Sequence, residues 1–102
     1  MLYLIVLSYQ GPLSAVDAHL AEHRAYLARH YAAGHFLLSG PRDPRTGGVI
    51  MARADSRELV EAWVAEDPFH RAGVATCEII AWAPSLRAGS IPVALAPLAT
   101  LV

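Results

Sequence analysis

A chain of 102 residues has room for one domain, and so small a domain gains from covering part of its surface with a second copy. Hydrophobic residues make up 55% and charged residues 17% of it, against about 45–50% and about 25% in ordinary soluble domains; apolar surface is therefore expected to sit in an interface. All eight basic residues are arginines, scattered from Arg24 to Arg87, and the net charge is −1, so no basic run or cluster points to nucleic acid.

Cys77 is the one cysteine, which rules out an internal disulfide and suits a reducing compartment. The apolar run Leu2–Leu7 is too short to cross a bilayer and lacks the basic flank of a signal peptide. The expectation is a cytoplasmic protein with no membrane partner.

Leu2–Ser8 reads as a central strand covered on both faces. Gln10-Gly11-Pro12 breaks it, and Ser14 is the expected cap of a helix over Ala15–Ala33. On a helical wheel Val16, Leu20, His23, Leu27 and Tyr31 form one stripe, with His19, Tyr26 and His30 beside it and Asp17, Glu22, Arg24 and Arg29 elsewhere. Gly34 is expected at the C′ position. Phe36–Ser39 and Gly48–Ala54 read as a hairpin around a turn-rich loop. Ser56 caps a second helix with Leu59, Val60, Trp63 and Val64 on its apolar face. Asp67-Pro68 interrupts that helix, a short turn runs to Gly73, and Val74–Trp82 is a fourth strand. Residues 85–102 form an irregular apolar tail.

The order β-α-β-β-α-β is that of a split βαβ, or ferredoxin-like, α+β domain with a four-stranded antiparallel sheet. Two helices cover one sheet face only. Leu2–Leu7, Ile80 and Trp82 offer apolar side chains to both faces, so a homodimer built on the uncovered face, a dimeric barrel, is expected.

Each candidate for chemistry carries a structural reading and a chemical one. His23 is either a satisfied core histidine or a general acid–base in a cleft between helix and sheet. Asp67 is either a turn residue before proline or the carboxylate that orients His23. His19 and His23 share a helix face, but no HExxH pattern or third convergent ligand accompanies them, so no metal site is expected. His35 and His70 read as loop or surface residues. Gly40-Pro41 and Gly47-Gly48 read as turns, with a pocket rim or a phosphate-carrying loop as the weaker alternative in the absence of a P-loop or GxGxxG. Cys77, inside a strand, reads as a small hydrophobe. Tyr26 is either core edge or a hydroxyl offered to the pocket.

Several short pieces together resemble the YCII-related family: Met1-Leu-Tyr-Leu-Ile-Val, His23-Arg-Ala-Tyr26-Leu27, Gly34 through Pro41, Gly47-Gly48-Val49-Ile50, and Asp67-Pro68-Phe69 followed by Ala72-Gly73-Val74. They span residues 1–84. The resemblance implies a dimeric α+β barrel and a recurrent histidine and aspartate, matched here by His23 and Asp67, that are proposed to be catalytic. It also implies small-molecule chemistry, in some relatives the dehydrochlorination of a hydroxylated aromatic ring. With it, Tyr26, Ser39, Gly40 and Phe69 are the expected substrate contacts, and the tail 85–102 is expected to cover the pocket or clasp a partner subunit. No nucleotide or flavin motif is present, so the expected reaction is a cofactor-free lyase, isomerase or dehydrochlorinase-like step on a small aromatic or enol substrate. Two alternatives stand beside it: a non-catalytic ligand-binding or accessory dimer, and a cofactor-free monooxygenase of the dimeric-barrel type.

Overall fold

The computed structural model describes residues 1–102. Its elements, in chain order, are β1 (Leu2–Tyr9), α1 (Leu13–Asp17), α2 (Leu20–Ala32), β2 (Phe36–Pro41), β3 (Gly47–Arg53), α3 (Arg57–Glu66), α4 (Pro68–Arg71) and β4 (Ala75–Trp82). The tail adds β5 (Leu86–Arg87), a 3₁₀ turn at Val93–Leu95 and β6 (Thr100–Leu101). The main sheet has the order β2-β3-β1-β4, antiparallel throughout. This is the ferredoxin-like α+β architecture expected from the sequence.

The apolar centre of β1 explains its place in the middle. Ile5 pairs with Ile50 of β3 on one side and with Ile79 of β4 on the other. Alternation sends Tyr3, Ile5 and Leu7 to the helical face, where they join Val16, Tyr26, Val60, Trp63 and Phe69 in the core. On the other face no helix covers Leu4, Val6, Val49, Met51 and Ile80, and Leu38 is 65% exposed there.

Three local devices set the rest. Gly47 is required where β3 starts against β1: a Cβ there would run into the Leu7 carbonyl oxygen. A bulge between Phe36 and Leu38 shifts the β2–β3 register, so that Leu38 pairs with Met51 on the open face and Ser39 pairs with Ile50 on the helical face. Gly34, at φ +79°, closes α2 with His35 N–H donating to the His30 carbonyl and Gly34 N–H to the Tyr31 carbonyl, the paired bonds of a Schellman cap.

Ser56 caps α3 as expected, accepting from Leu59 N–H. Three other local expectations are corrected. The helix expected over Ala15–Ala33 is two, because the His19 N–H bonds back to the Val16 carbonyl and His19 leaves helical geometry, a break that no Gly or Pro announces. Ser14 caps nothing; α1 starts at Leu13 behind Pro12, without a side-chain cap. The tail is not wholly irregular: β5 and β6 pair in parallel, and Arg53 Nη1 donates to the Ala94 carbonyl at 3.3 Å. No helix is long and apolar enough to cross a membrane.

Candidate active site

Asp67 owes its position to the Asp-Pro dipeptide. A residue before proline avoids helical backbone, and Asp67 takes φ −63°, ψ 122° at the end of α3. Pro68 then occupies the first position of α4, where its missing N–H costs nothing. The Asp67 side chain caps this new helix, with Oδ1 accepting from the Phe69 N–H at 2.9 Å. The same oxygen lies 2.8 Å from Nδ1 of His23, contributed by α2 across 44 residues of sequence. Asp67 is 2% exposed, and a carboxylate so deeply buried is tolerable only with such partners.

A carboxylate only accepts hydrogen bonds, so the neutral His23 imidazole carries its proton on Nδ1 and leaves the Nε2 lone pair free. Nε2 makes no bond within the protein, and the ring lies flat on Phe69, with centroids 3.9 Å apart and planes 7° from parallel. Carboxylate behind and aromatic face beside it fix the ring in one orientation.

His23 borders a cavity of about 400 Å³ between α1, α2, the sheet and the β2–β3 loop. Leu20 and Leu27 of α2, Leu7 of β1, Ile50 of β3, and Phe69 supply apolar walls. Ser39 and Gly40 line it from β2, and Ser39 reaches this side because of the bulge. Its hydroxyl lies 2.6 Å from the Tyr31 hydroxyl. Arg45 from the loop crosses the mouth to Asp17 of α1 at 2.6 Å, and Arg24 of α2 lines the same space.

Of the expected site residues, His23, Ser39, Gly40 and Phe69 therefore border one cavity, with Asp67 directly behind His23. Tyr26 is the exception. It is 1% exposed, lies outside the cavity lining, and donates its hydroxyl to the Trp63 carbonyl at 2.7 Å. Burial, reinforced by the charges of Asp67 and Glu66, holds that hydroxyl far above the usual phenol range. Its helix position, three residues from His23, turns it into the core. The tail is also placed differently from one half of its expectation. It meets the sheet at the Arg53 end, whereas Leu7, Tyr9 and Gly48 border the cavity at the other end, so it does not cover its own chain's cavity.

The sequence reading missed a second polar cluster. His30 is 6% exposed; its Nε2 lies 3.2 Å from Glu66 Oε1, and its Nδ1 lies 2.9 Å from Nδ1 of His35. His35, expected as a loop or surface residue, lies in the loop between α2 and β2 and stacks on Trp63 at 4.0 Å. The Gly34 cap folds His35 back against His30, a signal readable only once that cap is drawn. Burial lowers the His30 pKa, with Glu66 acting against it and His35 and Arg29 acting with it. No three His, Cys, Asp or Glu side chains gather closely enough to hold a metal ion. Burial, helped by Asp67, pushes the Cys77 thiol up to about 11, so at neutral pH it is a protonated, poorly nucleophilic group.

Fold and site together define a small α+β protein whose sheet and helices enclose a pocket with a carboxylate-held histidine at its wall. Residues 1–83 match the YCII-related domain, and the chain belongs to that family. Its structure is similar to 5-chloro-2-hydroxyhydroquinone dehydrochlorinase (TftG) from Burkholderia phenoliruptrix AC1100, solved in complex with 2,5-dihydroxybenzoquinone: TM-score 0.72, 28% identity, 82% of this chain and 95% of that one. That neighbour lies in the dimeric α+β barrel superfamily. The chain is also 35% identical over 66 residues to the xenovulene A biosynthesis cluster protein asL2 of Sarocladium schorii. That match covers 53% of this chain and 57% of the relative, so the chain spans little more than half of the relative's length. These likenesses support an enzyme-like role on small molecules.

Proposed function

We propose that this chain is a cofactor-free enzyme that moves a proton on a small aromatic or enol substrate, with His23 as the acid–base group and Asp67 holding it. The observation that carries the reading is the Nδ1 of His23 tied to a buried carboxylate while Nε2 stays unpaired at a largely apolar cavity. In this arrangement Nε2 accepts a proton from a ring hydroxyl or an activated C–H, and Asp67 stabilises the imidazolium that forms. Apolar walls strip water from the substrate and leave the polar contacts to orient it. Ser39, Gly40 and Phe69 are the proposed substrate contacts.

For a chlorinated hydroxyhydroquinone the steps balance without an added oxidant. One hydroxyl proton passes by way of His23 to the ring carbon that bears chlorine. Chloride then leaves with its bonding pair, a second hydroxyl proton is lost, and a hydroxyquinone remains.

The working unit in this reading is a homodimer. Leu4, Val6, Val49, Met51 and Ile80 form an apolar sheet face that a second copy would cover, and the tail is proposed to clasp that copy.

The test is chloride release from 5-chloro-2-hydroxyhydroquinone and related chlorophenols, with binding of 2,5-dihydroxybenzoquinone followed in parallel. Replacing His23 with Gln is expected to slow turnover by at least ~100-fold, the usual contribution of a positioned acid–base group, while the quinone still binds. An unchanged rate in His23→Gln would overturn the assignment.

A further inference from the structure

We infer that the cavity is built for an organic anion, and that Arg24 receives its negative group. The inference rests on the cavity being the substrate site proposed above. α2 presents four side chains to that space, Leu20, His23, Arg24 and Leu27, at the i, i+3, i+4 and i+7 positions of one helix face. Two are apolar wall and one is the proton-carrying imidazole. The fourth is a guanidinium.

Arg24 has no acid partner. The ion pairs of the structure engage Arg45 with Asp17 and Arg57 with Glu61, and the two remaining pairs are histidine–carboxylate. Arg24 also makes no side-chain hydrogen bond within the protein. Arg45, the other guanidinium at the cavity, is matched by Asp17 at 2.6 Å, so those two charges cancel. Asp67 stands behind His23 and is not part of the lining. The lining therefore presents one unmatched positive charge beside apolar walls. A cleft of that kind concentrates the field and draws in anions, and a planar guanidinium suits a carboxylate through two parallel hydrogen bonds.

Depth fixes the orientation. His23 is 9% exposed and Arg24 is exposed at the rim. A ring acid would enter with its reactive hydroxyl or C–H toward His23 and keep its carboxylate at the mouth on Arg24. This extends the reading from a small aromatic or enol molecule to one carrying an acidic group on the edge away from the reacting atom.

The experiment is an NMR titration of the protein with 4-hydroxybenzoate and, separately, with its neutral isostere 4-hydroxybenzamide. Shifts at Leu20, His23 and Leu27 report the cavity. The acid is expected to bind about tenfold more tightly at low salt, equivalent to about 1.4 kcal/mol, with the preference shrinking in roughly 1 M salt. Arg24→Gln should abolish the preference, Arg24→Lys should keep part of it, and Arg29→Gln, on another face of the same helix, should leave it intact. If both probes shift the cavity residues with equal affinity, the cavity stands as a ligand site and the anion inference falls. An acid preference that survives Arg24→Gln overturns the role of Arg24. If neither probe moves those residues, the anion inference and the substrate-site reading both fail.

Discussion

Oδ1 of Asp67 lies 2.8 Å from Nδ1 of His23, and the same oxygen caps α4 through the Phe69 N–H. One atom thus fixes both the imidazole and the helix that carries the ring stacked against it. Removing either partner leaves a cost beyond the lost contact. In His23→Ala the buried carboxylate loses its cationic or N–H partner, and stability is expected to fall by about 3 kcal/mol. Asp67→Ala also removes the cap, itself worth about 1 kcal/mol. Urea unfolding of the two variants checks this; losses under ~1 kcal/mol in both would mean that water already reaches the pair.

The histidine pair at the far end of α2 gives a pH dependence of defined sign. Glu66 accepts from His30 Nε2, so His30 Nδ1 is the acceptor that faces His35. Protonating it would set two N–H groups against each other. With its folded pKa lowered by burial, His30 binds a proton less readily in the native state than in the unfolded chain, whose imidazole titrates at about 6.5. The stability this group contributes is present above that value and is lost as pH falls through it toward the lowered folded value. Melting temperatures measured from about pH 8 to 5 should fall more steeply for the wild type than for His30→Gln. Parallel curves would contradict the assignment.

Two glycines of the hairpin, Gly40 opposite Val49 and Gly47 opposite Ser8 of β1, have opposite tolerances. A Cβ on Gly47 would run into the Leu7 carbonyl, whereas one on Gly40 meets nothing within 4 Å. Gly47→Ala is expected to cost more than about 3 kcal/mol because the β1–β3 ladder must part, and Gly40→Ala less than about 1 kcal/mol. Thermal unfolding of both variants reads the difference, and equal losses would refute the close approach of β3 to β1.

Leu38 owes its exposure to the bulge that puts it opposite Met51 on the open sheet face. If that face is the dimer surface, Leu38→Asp places a charge in an apolar interface and should convert a dimer into a monomer in sedimentation velocity at micromolar concentration. A dimer that persists unchanged would move the interface elsewhere.

What could be read from the residues alone follows from their kind of signal. The unbroken apolar run of β1 and the caps at Gly34 and Ser56 act over a few residues, so the element order was legible. Asp67-Pro68-Phe69 was legible as a turn, and Asp67 stood out as a candidate, but its contact with His23 spans 44 residues and became visible only in the fold. Two features escaped because they depend on a single step of register. The bulge after Phe36 decides whether Leu38 or Ser39 faces the cavity, and the break at Ala18-His19 resets the helical wheel. Within α2 itself Leu20 and Leu27 are half-buried beside the cavity, Tyr26 and His30 take the core, and Arg24, assigned to the outer face of the wheel, borders the pocket.

The central claim is that Asp67 holds His23 with its proton on Nδ1 and its Nε2 lone pair free toward the cavity. Nitrogen-15 NMR of the His23 ring at roughly pH 9, where a free imidazole is neutral, tests it directly in the wild type and in Asp67→Asn. The account predicts a protonated Nδ1 and an unprotonated Nε2 in the wild type, with that preference lost or weakened in Asp67→Asn. A wild-type ring protonated on Nε2, or a tautomer indifferent to Asp67→Asn, would contradict it.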